Sequence, residues 1–205
     1  MSDRHDRRAL AIHEKLGDVD TRYGAEALGA VGTDQRLLGR FSEARAALER
    51  ALAIRERQLG RDHPVVAGNL VELSRVALAQ RRAADAVALA ERGMSLYDAA
   101  FGPTREEAVE ARSVYTRALL AAGQAARALA AAAPAVDAAA SLAPEFRVAA
   151  RFDLARALVA AGKDRKRACA LATEARALAA GTKDAGDPAE IAKWMKGAAC
   201  PASAR

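Results

Sequence analysis

The stretch Leu59-Gly60-Arg61-Asp62-His63-Pro64-Val65-Val66-Ala67 decides how the chain is read. It is a stop followed at once by a start. Gly60 ends whatever precedes it, and Pro64 sets the backbone angle for the first turn of a new helix. After Pro64, the run to Gln80 places Val66, Leu70, Leu73 and Ala77 at steps of 3 and 4, one apolar face of a helix. Before Leu59, Phe41-Ser42-Glu43-Ala44 opens a second helical run behind Gly39-Arg40. The same punctuation returns. Leu59-Gly60 recurs as Phe101-Gly102, Ala44 recurs at Ala86 and Ala128, and Ala9-Leu10-Ala11-Ile12 recurs as Ala51-Leu52-Ala53-Ile54, each about 42 residues on. Glycine and isoleucine share in these matches, so they do not reduce to the abundance of alanine.

That abundance sets the fold class. Alanine supplies more than a quarter of the 205 residues, while aromatic residues are 4%. Alanine favours helix and lets helices approach closely, and the β-branched and aromatic residues that build sheets are scarce. The chain is expected to be all-α. Each unit reads as two helices: 23–38 and 41–59, then 65–80 and 83–100, then 106–122 and 125–141, then 145–161 and 164–180. Gly39, Arg81, Gly123 and Gly162 mark the break within each pair. Ala86, Leu89, Ala90, Gly93, Leu96 and Tyr97 form the stripe of the second helix in the second unit, with small residues where a partner helix comes close. In the third unit that helix is almost all alanine and contains Pro134, which is expected to kink or shorten it.

The pattern Gly39-Arg40-Phe41-Ser42-Glu43-Ala44, then Arg50 to Glu56, then Leu59 to Ala67, resembles the tetratricopeptide repeat family in its 42-residue, kinesin-light-chain-like form. The resemblance covers roughly residues 8–180. It implies antiparallel helix pairs stacked into a right-handed superhelix, an α-solenoid whose first helices line a concave groove and whose second helices form the outer wall. The expected array spans 1–181, as a partial unit 6–20 and units 23–64, 65–103, 104–144 and 145–181. Residues 182–205 would hold a linker, a capping helix at 188–197 and a flexible tail. Asp187-Pro188-Ala189-Glu190 carries the start signal of that helix, which would lay Trp194 over the end of the fourth pair. The array is also similar to repeat regions that follow some bacterial serine/threonine kinases. The kinase loops themselves are missing from this stretch.

The function implied is a non-catalytic interaction module that takes a protein or peptide in its groove, with no cofactor. A regulatory or docking segment of a kinase is the alternative, and RNA binding a weaker one. The net charge of +6 permits an acidic partner, but exposed aromatics for stacking bases are too few to favour nucleic acid. His5, His13 and His63 have no second ligand at helical spacing, so neither a metal nor a catalytic site is expected. Cys169 reads as a small core residue and Cys200 as part of a mobile tail. Two cysteines so far apart suggest no disulfide framework, and a reducing, cytoplasmic setting is expected. The first twenty residues show no apolar leader segment.

One constellation stands out. Six residues before the breaks lie Thr33, Arg75, Arg117 and Arg156, at the position that the resemblance points into the groove. Arg36 and Arg112 lie near them. Arginine forks suit carboxylates, so these five arginines are the candidate partner contacts, for an acidic peptide or a terminal carboxylate. The competing reading is a solvated face that neutralises itself, because Glu72 and Asp153 stand three residues before Arg75 and Arg156. Arg117 follows Ser113 and Val114 instead, and is expected to be the least compensated. Kinesin light chains carry paired asparagines on this helix. Val71 and Glu72 stand here in their place, so that cargo specificity is not carried over.

Overall fold

The computed structural model describes residues 2–183 and 185–200. Among them are ten α-helices and no strand: α1 Ser2–Leu16, α2 Arg22–Leu37, α3 Phe41–Leu59, α4 Pro64–Ala79, α5 Ala83–Phe101, α6 Glu106–Ala121, α7 Ala125–Ala138, α8 Pro144–Ala160, α9 Arg165–Gly181 and α10 Pro188–Gly197. The four expected helix pairs and the helix at 188–197 are present with ends within three residues of those expected, and the first helix runs four residues earlier than the expected 6–20. The expected tail after Cys200 lies outside the described residues. The helices gather into two compact units, Met1–Ala100 and Phe101–Arg205.

In unit 1, α2 packs on α1 and α3, α3 on α4, and α2 touches α4, so first helices of successive pairs stand side by side. The stripe on α4 is buried as its spacing requires, with Val66, Leu70, Leu73 and Ala77 at 5% exposure or less. Leu48 on α3 joins Leu73, Val76 and Ala44 in one apolar cluster. Close approach depends on missing side chains. A Cβ at Gly32 would lie 2.6 Å from Leu48 Cγ, and one at Gly93 would lie 3.0 Å from Val71 Cγ2. In unit 2 the same arrangement recurs, with α6 beside α8, α7 against both, α9 on α8 and α10 on α9.

The breaks inside the pairs share one geometry. At the end of α2, Arg40 N–H donates to Gln35 O (2.8 Å) and Gly39 N–H to Arg36 O (3.0 Å). The same two bonds close α4 from Arg82 and Arg81, α6 from Gln124 and Gly123, and α8 from Lys163 and Gly162. This turn needs a residue at positive φ just past the helix, which is why glycine recurs there. Arg81 is the exception, at φ 59°. Its side chain is exposed, and left-handed backbone costs an L-residue about 1–2 kcal/mol. Arg81→Gly is therefore expected to raise stability by about 0.5–1 kcal/mol. Chemical denaturation checks this, and an unchanged midpoint counts against it.

α7 is the thin layer. It runs 14 residues where α3 and α5 run 19. Its buried residues are Ala128, Ala131, Ala132 and Ala135, and Pro134 stands inside it. Proline lacks the N–H that would bond one turn back, and alanine methyls bury little area, so propagation stops early. Amides of α7 are expected to exchange faster than those of α3, and equal protection would contradict this.

The cysteines depart from expectation. Cys169 on α9 and Cys200, three residues past α10, form a disulfide with their Cα atoms 5.4 Å apart. Two residues 31 apart meet because α10 folds back along α9. Neither is a free thiol, Cys200 is not in a loose tail, and the pair gives no support to a reducing compartment. α10 itself starts as expected: Asp187 Oδ1 accepts from Ala189 N–H (2.8 Å), and Ile191 and Met195 are buried. Trp194 meets Phe152 of α8 edge to face at 5.4 Å. Among the described residues no helix is long and apolar enough to cross a membrane.

Candidate functional site

The arginines singled out in the sequence fall into two separate clusters, one per unit. In unit 1, Glu72 of α4 is held from two sides. Arg36 Nε of α2 donates to its Oε2 at 2.6 Å, and Arg75 lies 3.2 Å from its Oε1, one turn along the same helix. All three are about one-fifth exposed. In unit 2, Asp153 of α8 is 2% exposed and takes the same part. Arg117 Nε of α6 donates to both carboxylate oxygens, at 3.0 and 3.1 Å. Ser113 donates its hydroxyl to Oδ2, and Arg156 stands 3.8 Å from Oδ1 while lying over the Phe152 ring.

Arg117 is thus not the least compensated of the row. The Asp153 carboxylate pushes its pKa above the ordinary arginine value against the pull of burial, with further help from Glu190 and Glu110. The pairing was missed because the compensating acid lies on the neighbouring first helix, 36 residues on, and not three residues back. Arg112 is half-buried on α6, where its carbonyl accepts from the Thr116 hydroxyl. Beside the second cluster lies a cavity of about 380 Å³, walled by Arg117, Phe152 and Arg156 on one side and by Asp187, Glu190 and Ile191 on the other.

The guanidinium in the opposite electrostatic condition is one that sequence reasoning passed over, Arg55. It lies on α3, a second helix, and reaches inward between α2 and α4. It donates to Oδ1 of Asn69, which is 3% exposed and anchored in turn through its Nδ2 to Leu48 O (3.4 Å). Its guanidinium lies beside Gly29 of α2, with Nη2 3.6 Å from where a Cβ would stand, an ordinary contact distance. Burial is the dominant influence and pulls the Arg55 pKa below its usual value. Glu26 and Tyr97 oppose that pull without cancelling it. The charge remains, because no shift of ordinary size neutralises arginine near pH 7. It is a charge that its own protein only partly balances.

Arg55 opens on a cavity of about 440 Å³, lined also by Arg22, Glu26, Gln58, Leu59 and His63. His63 caps α4 by accepting Val65 N–H at Nδ1 (3.2 Å), which leaves its other ring nitrogen as the donor. Two guanidinium groups and one imidazole N–H therefore face one acid, with Leu59 supplying an apolar wall. An oxyanion carried on a short apolar stem fits this donor set. The signal for it in the sequence was the asparagine on the next first helix, Asn69, a polar residue at a buried position. Among the described residues, no three His, Cys, Asp or Glu side chains converge as metal ligands.

Comparison with known proteins fits the helix pairs, their breaks and their period. The tetratricopeptide repeat family model matches residues 2–57 and again 25–99. Residues 2–99 belong to the tetratricopeptide repeat family. Among solved structures, this repeat protein is similar to a point variant of a Podosopora anserina kinesin-light-chain-type protein with nearly identical TPR-like repeats. That likeness has 25% identity and a TM-score of 0.73, over 88% of this chain and 86% of the other. Another structure of that type, also from Podosopora anserina, matches at 22% identity and a TM-score of 0.66, over 88% of this chain and 96% of the other. BtubC (BKLC) from P. vanneervenii has the same fold at 16% identity and a TM-score of 0.72, over 94% and 78% of the two chains. No curated protein matches. Tetratricopeptide repeats build scaffolds for protein–protein interaction, and the all-helical repeat described above is of that kind.

Proposed function

We propose that this repeat protein is a non-catalytic scaffold that binds an acidic segment of a protein partner, with the Arg55 cavity of unit 1 as the point where a carboxylate is seated. The observation that carries the reading is the contrast between arginines. Arg75, Arg117 and Arg156, with Arg36, already hold carboxylates of their own protein, while Arg55 is inward-facing, oriented by Asn69 and only partly balanced. The paired arginines, and Arg112, act in this reading as a positive field that attracts the partner within each unit, with the net charge of +6 adding to the rate of encounter. The kinase-linked and RNA-binding readings rest on the sequence resemblance and the basic composition alone, and no feature of the fold favours either.

A cytoplasmic location fits the reading only where the Cys169–Cys200 bond is cycled, because thiol reductants there keep most cysteine pairs open.

Selection of peptides from a random display library against the full chain tests the proposal. Enriched peptides are expected to carry Asp or Glu. Arg55→Ala is expected to weaken the best of them 10- to 100-fold, the range of one charge-assisted hydrogen bond pair. Lys166→Glu, an exposed charge reversal on α9, should leave affinity within about twofold. Enrichment of basic or purely apolar peptides would overturn the reading, and so would equal losses in the two variants.

A further inference from the structure

α10 finishes as a first helix of a repeat finishes. Cys200 N–H donates to Met195 O (2.9 Å), Ala199 N–H donates to Lys196 O (3.1 Å), and Ala199 sits at φ 49°. These are the two bonds and the positive φ found at Gly39, Arg81, Gly123 and Gly162. Cys200 therefore takes the place held by Arg40, Arg82, Gln124 and Lys163, where each earlier chain turns into its second helix. Here a covalent bond to Cys169 fastens that turn to α9.

We infer that the Cys169–Cys200 disulfide is a redox latch: closed, it holds α10 as one wall of the unit 2 cavity, and opened, it lets α10 leave and exposes that cavity. Ten residues are too few to remain helical in water without a surface to pack on, so α10 exists only while docked. Its other described attachments are the buried side chains of Ile191, Met195 and Ala198, Trp194 resting on Phe152, and Arg165 donating to Ala198 O. Asp187, Glu190 and Ile191 stand on the helix or its cap and face Arg117, Phe152 and Arg156 across the cavity. Undocking α10 therefore takes two carboxylates and one apolar side chain away from two arginines and a phenyl ring. The latch governs what the unit 2 cavity presents.

The chemistry has a defined direction. Cys169 is 7% exposed and Cys200 is half-exposed, so an incoming thiolate reaches Cys200 Sγ. A dithiol reductant attacks there and forms a mixed disulfide. The Cys169–Cys200 bond breaks, and Cys169 leaves as a thiolate and takes up a proton. The second thiol of the reductant then attacks the mixed disulfide, releases Cys200 as a thiol and closes the reductant's own disulfide. Two electrons and two protons pass from the dithiol to the protein.

The test uses the full chain under three conditions: treated with a mild disulfide oxidant, reduced with dithiothreitol, and as Cys200→Ser. Alkylation in denaturant followed by intact mass counts free thiols, hydrogen exchange follows residues 188–200, and fluorescence follows Trp194, the only tryptophan. The oxidised chain is expected to trap no thiol. Reduction and Cys200→Ser are each expected to speed exchange in α10 at least tenfold and to shift Trp194 emission to the red. Exchange in α2–α4 serves as the control for global folding and should not change. Two free thiols after oxidation would overturn the inference, as would α10 exchange and Trp194 emission that stay the same across all three. A rise in α2–α4 exchange together with α10 would overturn it too, since the bond would then be supporting the whole chain and not one helix.

Discussion

Arg117→Glu is expected to destabilise unit 2 by about 3 kcal/mol, at the low end of the cost of stranding a buried charge. The cause is Asp153, whose side chain is 3% exposed and whose two oxygens both accept from Arg117. Removing the guanidinium leaves that carboxylate facing a second carboxylate. Ser113 still donates to it and Arg156 is near, and Arg117 itself is more than one-third exposed. These keep the cost from reaching the upper end. The pair is not worth this much as an attraction. Taking away both charges, as Arg117→Gln with Asp153→Asn, should recover more than half of the loss, because no uncompensated charge then remains. Urea denaturation followed by circular dichroism reads both. A loss under about 1 kcal/mol for Arg117→Glu would mean that Asp153 reaches water.

Leu48→Ala is expected to cost about 2–5 kcal/mol. Leu48 is 1% exposed and closes the cluster of Ala44, Leu73 and Val76. Its position against Gly32 gives the prediction a second part. Gly32→Ala alone should destabilise, even though alanine is about 1 kcal/mol better than glycine inside a helix. The added Cβ would fall 2.6 Å from Leu48 Cγ and 3.2 Å from Ala44 O. In the double variant the clash with Leu48 is gone, and the methyl at 32 fills part of the space that Leu48 vacates. The double variant should therefore be more stable than the sum of the two losses predicts, by about 1 kcal/mol or more, which marks side chains in contact. Additive losses would show that α2 and α3 separate freely and that Gly32 is not a packing residue.

The helix pairs could be read from residues because their signals are local. Gly39, Gly123 and Gly162 mark turns that demand positive φ, Pro64 and Pro188 mark first turns, and the period brings each signal back. Arg81 was placed at the same break by the period alone, and its φ agrees. What escaped local reading was contact between repeats. Arg36 finds Glu72, and Arg117 finds Asp153, each 36 residues ahead. In a stack of pairs that separation joins neighbouring first helices, so charges there should be compared one repeat onward before they are counted as free. Arg55 is invisible to a reading confined to first helices, because a long side chain on a second helix can pass between two of them. The disulfide is hidden from local reading because Cys200 lies 31 residues from Cys169 along the chain and is followed by a proline. The short α10 folds that distance away.

Hydrogen exchange of the full chain, with and without an acidic peptide selected by display, tests the central claim most directly. Seating of a carboxylate at Arg55 predicts slowed exchange in two stretches of unit 1, the first turns of α2 around Arg22–Gly29 and the span from the end of α3 to Asn69 on α4. Arg55→Ala should abolish both. Protection confined to α6 and α8 around Arg117 and Arg156, with residues 22–29 and 55–69 unchanged, would contradict it.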